Sequence, residues 1–149
     1  MSITYRNAQY DDAAAMARIS QALIEELHQK FDKNRFMSML SKVMGDPEQK
    51  KGAFIATDEE KKQAVGMILG ITKLSRGGKK EGFLQNIVVI PEARGQGVGK
   101  ELAQRAVNHL KSLKVPVISV NVRENQPQAI TMYERLGFSR SGSVMHLKP

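Results

Sequence analysis

The sequence predicts one α/β domain over residues 1–149, with a mixed central sheet flanked by helices in the order β-α-α-β-β-β-α-β-α-β. Three observations predict it. Apolar residues recur at helical spacing between residues 11 and 44. Residues 53–90 then change to short apolar runs joined by charged or glycine-rich turns, the pattern of an antiparallel meander. Residues 83–122 read strand, glycine turn, helix, strand, which is a right-handed parallel crossover. A meander feeding a crossover needs antiparallel and parallel neighbours in one sheet. No repeat or Pro/Gly/Ser-rich linker divides the chain.

Taken in order, Ile3 to Asn7 is a short first strand. Asp11 and Asp12 open a helix, where acidic residues suit the N-terminal dipole. Met16, Ile19, Leu23 and Leu27 form its core stripe. A second helix spans about Asn34 to Met44, with Phe36, Met39, Leu40 and Val43 on one side, and ends at Gly45-Asp-Pro. Ala53 to Thr57 and Ala64 to Lys73 are strands around a charged turn, and Arg76 to Lys80 is a hairpin connection into the strand Phe83 to Ile90. The helix after Gly97 carries Val98, Leu102, Ala106, Leu110 and Leu113 on one face. Pro116 to Val122 is the next strand. Pro127 suits a helix start, Gly137 suits the residue after its end, and a last strand lies near Ser143 to Leu147.

Composition narrows the function. No apolar run approaches the roughly 18–20 residues that cross a bilayer. The N-terminal residues Met1 to Asn7 carry no apolar signal-peptide core, so a cytoplasmic location is expected. The absence of cysteine excludes a disulfide framework, a thiolate nucleophile and thiolate metal ligands. His28, His109 and His146 show no metal spacing, so no metal is expected, and His109 is assigned to the surface. The net charge of +8 favours an anionic ligand or partner. Its lysines punctuate turns and helix faces, as a solvated surface does.

The anion has an evident place. Ile87 to Ile90 halts at Pro91, and Arg94-Gly-Gln-Gly-Val-Gly-Lys100 leads into a helix. Glycines at alternate positions remove Cβ atoms, and a helix N-terminus presents free N–H groups. The mononucleotide P-loop is excluded, because Arg94 stands where its first glycine belongs and Glu101 replaces its hydroxyl residue. The dinucleotide fingerprint is excluded by the spacing of Gly95, Gly97 and Gly99.

The turn Val89-Ile-Pro-Glu-Ala-Arg-Gly-Gln-Gly-Val-Gly-Lys100 resembles the acyl-coenzyme A signature of the GNAT N-acetyltransferase superfamily. Asn125-x-x-x-Ala129-x-x-x-Tyr133-x-x-x-Gly137-Phe138 resembles that family's later motif. Together they cover roughly Phe83 to Phe138, and the preceding element order is similar to the family fold. The resemblance implies that Arg94, Gly95, Gln96, Gly97, Val98, Gly99 and Lys100 cradle the pyrophosphate of acetyl-CoA. It implies that backbone groups of Ile87 and Val89 pair with the pantetheine arm where this strand splays from the next. Asn125 then caps the following helix or bonds to pantetheine.

The implied reaction is direct attack of a neutral primary amine, on a small molecule or a peptide, on the acetyl thioester. The Val89 N–H is the implied oxyanion donor, a contribution of ~3 kcal/mol in acyl transfer generally. Tyr133 takes the family's general-acid position. Its ordinary pKa of ~10 against ~8.5 for a thiol makes geometry matter more than acidity. For the base, Gln85 stands where the family often carries an acid, leaving Glu81, four residues earlier on the same strand face, as the candidate. The acceptor falls to the first two helices and their connection, with Glu25, Glu26 and Asp32 as contacts for a cationic amine. The expected partners are acetyl-CoA and an amine acceptor, without nucleic acid or membrane, and with a homodimer left open. A non-catalytic acyl-CoA sensor is the alternative, needing the turn but neither Tyr133 nor a base.

Overall fold

The computed structural model describes residues 1–123 and 126–149. One seven-stranded sheet runs in the order β1-β2-β3-β4-β5-β7-β6. Its strands are β1 (Ile3–Asn7), β2 (Ala53–Asp58), β3 (Gln63–Leu74), β4 (Lys80–Val89), β5 (Ile118–Asn121), β6 (Ser139–Ser141) and β7 (Val144–Leu147). Only the β4–β5 pair is parallel among the described residues. Five helices flank the sheet: α1 (Ala13–Glu26), α2 (Lys33–Met44), α3 (Pro47–Lys50), α4 (Val98–Ser112) and α5 (Pro127–Arg135). The expected element order holds, with α3 and β6 added.

The additions have local causes. Gly45 keeps right-handed φ/ψ, and the Asp46 carboxylate accepts the N–H groups of Glu48 and Gln49, nucleating the short helix α3 at Pro47. β6 is the exposed run Ser-Arg-Ser, whose side chains carry no apolar alternation, so only its pairing with β7 reveals it. The first helix also begins differently. Tyr10–Asp12 is a 3₁₀ turn, and Asp12 binds Arg6 of β1 at 2.7 Å and 2.9 Å. That pair ties the first strand to the helix start and holds the Asp12 carboxyl below its usual range.

β3 is an interior strand, buried without a break from Ala64 to Thr72, as expected when both faces are covered. On one face Val65, Ile68 and Leu84 pack with Leu102, Ala106 and Leu110 of α4 and with Tyr133 and Phe138. On the other, Ile55, Met67 and Leu69 pack with Met16 and Ile19 of α1 and Phe36 and Leu40 of α2. His109 is half-buried rather than on the surface. It lies beside Glu48 and Lys51, and burial pulls its pKa down.

One irregularity positions the site. Leu69 pairs with Gln85 and Met67 with Val88, so β4 spends three steps where β3 spends two. Asn86, at φ 53°, is the extra residue, one of the few types that enter the left-handed region readily. The bulge flips the alternation: Leu84 and Ile87, three residues apart, belong to the same α4-facing cluster. Pairing with β5 stops at Leu84–Val120, just before it. Beyond that point β4 continues to Val89 with only β3 beside it.

Candidate active site

The gap opened by the bulge is a cleft of about 680 Å³ between the C-terminal half of β4, the start of α4, α5 and the end of α1. The strand supplies Ile87 and Val89 to its wall. Ile90 N–H bonds back to Val65 of β3 at 3.0 Å, so strand alternation turns the Val89 N–H and C=O toward the open side.

The glycine turn closes one end. Gly95 and Gly97 have φ of +79° and +77°, and an added Cβ at either would meet nothing within 4 Å, so glycine is required there by conformation, not space. Gly99 is different. A Cβ there would meet Val89 at 3.7 Å, Met132 at 3.9 Å and Ile87 at 4.0 Å, on the cleft wall itself. Gly97 is the N-cap of α4 and offers no side chain to the first turn. The opening N–H groups of a helix have no intrahelical partner, and their dipole favours an anion. Lys100 lies beside them and lines the cleft.

Tyr133 of α5 also lines the cleft. It is 2% exposed, and its ring packs edge-on against Phe138 at 5.5 Å. Its hydroxyl has no hydrogen-bond partner among the described residues. Burial pushes its pKa up to about 12. A buried hydroxyl left unpaired costs about 1–3 kcal/mol.

Arg94 behaves unlike a free phosphate ligand. Its Nε donates to Val89 O at 3.1 Å, and its two terminal nitrogens donate to the Glu26 carboxylate at 2.9 Å and 3.0 Å. The Arg94 hydrogen bonds hold the Glu26 carboxyl below its usual range. Glu26, with Leu23 and Leu27, brings α1 into the cleft. Nothing in sequence spacing pairs residues 68 positions apart. Met132, one residue before Tyr133, also lines the wall, and its place on α5 follows from helical neighbours of Tyr133.

The candidates therefore separate. The cleft gathers Ile87, Val89, Arg94, Gly95, Gly97, Val98, Gly99, Lys100 and Tyr133. Gln96 does not line it, and its amide donates instead to Glu92 O at 3.3 Å. Asn125 lies outside the described residues. Glu81 pairs with Lys73 in the closed part of the sheet and does not line the cleft. It sits four residues before Gln85, or ~13 Å of strand rise. Ser119 and His146 form a hydrogen bond of 2.9 Å across β5 and β7, in register with Phe83, and they too lie off the cleft. Among the described residues Glu26 is the one carboxylate on the cleft wall. Among the described residues no cluster of three His, Asp or Glu side chains could hold a metal ion, and no helix is long and apolar enough to cross a membrane. A shallower groove of about 430 Å³ adjoins the cleft between Lys100 and Arg135.

Known proteins share this arrangement. The model of the Acetyltransferase (GNAT) family matches residues 16–138. N-alpha-acetyltransferase 30 of Schizosaccharomyces pombe is 27% identical over 59% of this chain and 57% of its own length. The chain thus spans less than two thirds of that relative. A peptidyl-lysine N-acetyltransferase of Salmonella typhimurium is 24% identical over 95% of this chain and 87% of its own. A chain from the crystal structure of the NatC complex bound to Gag peptide and CoA superposes with a TM-score of 0.84, at 17% identity, covering 100% of this chain and 99% of that one. With the family model covering most of the sequence, and a forked sheet, glycine turn and buried tyrosine arranged around one cleft, the chain belongs to the GNAT acetyltransferase family.

Proposed function

We propose that the protein is an acetyl-CoA-dependent N-acetyltransferase acting by direct transfer to a primary amine, with a peptide α-amine as the preferred acceptor. The observation that carries it is one continuous cleft lined both by the glycine turn and first residues of α4 and by Tyr133, whose buried hydroxyl has no partner among the described residues.

The residues fit the donor. The N–H groups at the start of α4, with Lys100, suit a pyrophosphate. Gly95 and Gly97 hold the turn, and Gly99 keeps the wall clear. Arg135 and Lys100 flank the outer groove, where cations suit the nucleotide end. The exposed edge of β4 at Ile87 and Val89 offers backbone groups to amides of an extended arm. An acetyl thioester supplies an activated acyl group and a thiolate leaving group.

The chain's own groups then do three things. The Val89 N–H, turned to the open side, donates to the oxygen that gains charge. As the C–N bond forms and the C–S bond breaks, Tyr133, with a pKa of about 12 and so neutral throughout the working range, donates toward the leaving sulfur, and the proton shed by the attacking nitrogen restores the phenol. Outright protonation of a free thiolate by so weak an acid is uphill, so Tyr133 works best against a sulfur that is itself desolvated in the same cleft. The apolar wall of Ile87, Val89 and Met132 excludes water that would compete with the amine.

Among the described residues the cleft holds no matched base, which favours an amine that is neutral without one. The Glu26 carboxylate is held below its usual range by Arg94, and Glu81 is off the cleft, so no described group there is matched to an ammonium of high pKa. An α-amine of pKa ~7.8 is roughly one-seventh neutral at pH 7, whereas a lysine amine of pKa ~10.4 is neutral about once in 2,500 molecules. Of the two relatives above, one is named for Nα-acetylation and the other for peptidyl-lysine acetylation, so the choice between the two amines rests on the cleft. The test is acetyl-CoA turnover on two peptides, one with a free α-amine and no lysine, one Nα-blocked with a single lysine. We expect kcat/KM higher for the first by roughly tenfold to a hundredfold. Equal rates, or preference for lysine, would remove the α-amine assignment. Coenzyme A binding without turnover on any amine would favour an acyl-CoA sensor.

A further inference from the structure

We infer that Arg94 and Glu26 form a latch across the cleft mouth, in which Glu26 holds the place of the donor's phosphate and must give up Arg94 when the donor binds. The inference rests on the coenzyme A reading of the cleft.

The pair spans the two sides of the opening, one partner on the anion turn and the other on the last residue of α1. Both contacts are of charge-assisted length, and their fork-to-fork geometry is the one a guanidinium offers equally to a carboxylate or a phosphate. With Nε on Val89 O as well, each of the three Arg94 nitrogens already donates to a partner, and the forked face it would offer an anion is held by Glu26.

Glu26 is poorly placed for a static brace. It ends a helix whose last turn holds no basic residue, where the helix dipole opposes a negative charge. It also puts a carboxylate beside the very turn that suits an anion. Both costs make sense if Glu26 is a competitor. It occupies Arg94 in the empty site, keeps the cation oriented, and weakens the bound anion when the product has to leave. Exchange needs no costly desolvation, because the Arg94 and Glu26 side chains are 43% and 45% exposed. Arg94, assigned from sequence to the pyrophosphate, then reaches it only by exchanging partners, and donor affinity is set by the difference between two ion pairs.

The test is titration calorimetry of coenzyme A on four forms of the chain: unaltered, Glu26→Gln, Arg94→Gln and the double variant. Glutamine keeps the shape and an acceptor oxygen while removing the charge. Glu26→Gln is expected to tighten coenzyme A by about threefold to tenfold, the range of an exposed charge pair at low salt. Arg94→Gln is expected to weaken it, and in that background Glu26→Gln should bring a much smaller gain. An unchanged or weaker Kd in Glu26→Gln would make the pair a brace and end the latch. A gain as large in the Arg94→Gln background would mean simple repulsion and also end it. If the unaltered chain fails to bind coenzyme A, the donor reading itself falls, and the latch with it.

Discussion

From Gly82 to Leu84, β4 is held on both edges, by β3 and by β5; from Ile87 to Val89 it keeps β3 while pairing with β5 has ended. Both stretches are apolar and both send alternate side chains into the α4-facing cluster. Yet the first is core and the second lines a cleft. The difference lies in the free backbone edge, not in the chemistry of the side chains. A binding wall can thus be made from ordinary core residues if one neighbouring strand is withdrawn.

The contrast can be broken in several ways, and the largest effect belongs to Tyr133. Tyr133→Phe should lower kcat by roughly tenfold to a thousandfold through loss of the proton donor. It should not lower stability at neutral pH, because the deleted hydroxyl is buried without a partner among the described residues. Its pH behaviour follows from the raised pKa of about 12, against 10.0 for an ordinary tyrosine. The folded chain holds this proton more tightly than the unfolded one, so stability is intact below pH ~10 and drains away as the pH rises toward 12. By pH 11 that loss is ~1.4 kcal/mol, and denaturant melts of Tyr133→Phe should lack it. An unchanged kcat, with chemistry shown to be rate-limiting, would strip Tyr133 of its role.

A matched pair of glycine substitutions separates the two halves directly. Gly99→Leu puts a side chain against Ile87, Val89 and Met132 on the cleft wall. It should weaken coenzyme A by about tenfold to a hundredfold with little change in Tm. Gly82→Val drives into Leu110, Val115 and Ile118, which an added Cβ would already meet at 3.2–3.3 Å. That overpacking should cost about 1–3 kcal/mol of stability while the donor Kd of the folded fraction stays put. Reversed outcomes would mean that the bulge does not divide core from site.

The smallest effect is expected at Glu81, which lies in the closed half. Glu81→Gln should change kcat/KM by less than about threefold at every pH, since general-base loss typically costs about a hundredfold or more. A lost acidic limb in the pH profile would restore Glu81 as the proton acceptor.

Much of this arrangement was legible before any coordinates. The glycines of the turn announce themselves because left-handed φ and close approach leave few residue choices, and Gly137 marks the end of α5 at φ +103° for the same reason. Tyr133 stands out through its place in the Asn125-x-x-x-Ala129-x-x-x-Tyr133-x-x-x-Gly137-Phe138 pattern, which resembles the family's later motif. What stayed hidden depends on pairs distant in sequence. The Arg94–Glu26 contact joins a turn to a helix end, and the Ser119–His146 contact joins two strands. Glu81 shares a strand face with Gln85, but the distance along β4 that disqualifies it emerges only once the cleft is located. Asn86 did carry a signal, an asparagine within a strand just before the β-branched run Ile87 to Ile90, yet a bulge is a mismatch in count between two strands and neither shows it alone.

That mismatch makes the mouth of the cleft a property of chain length. Replacing Asn86 with another residue alters the comfort of one φ angle; removing it would give β4 as many steps as β3 and let β4 and β5 run on together. A slot of this kind is hard to erase by point substitution and easy to erase by a single deletion. Side chains around it are accordingly free to diverge toward different acceptors while the fork that admits the donor persists.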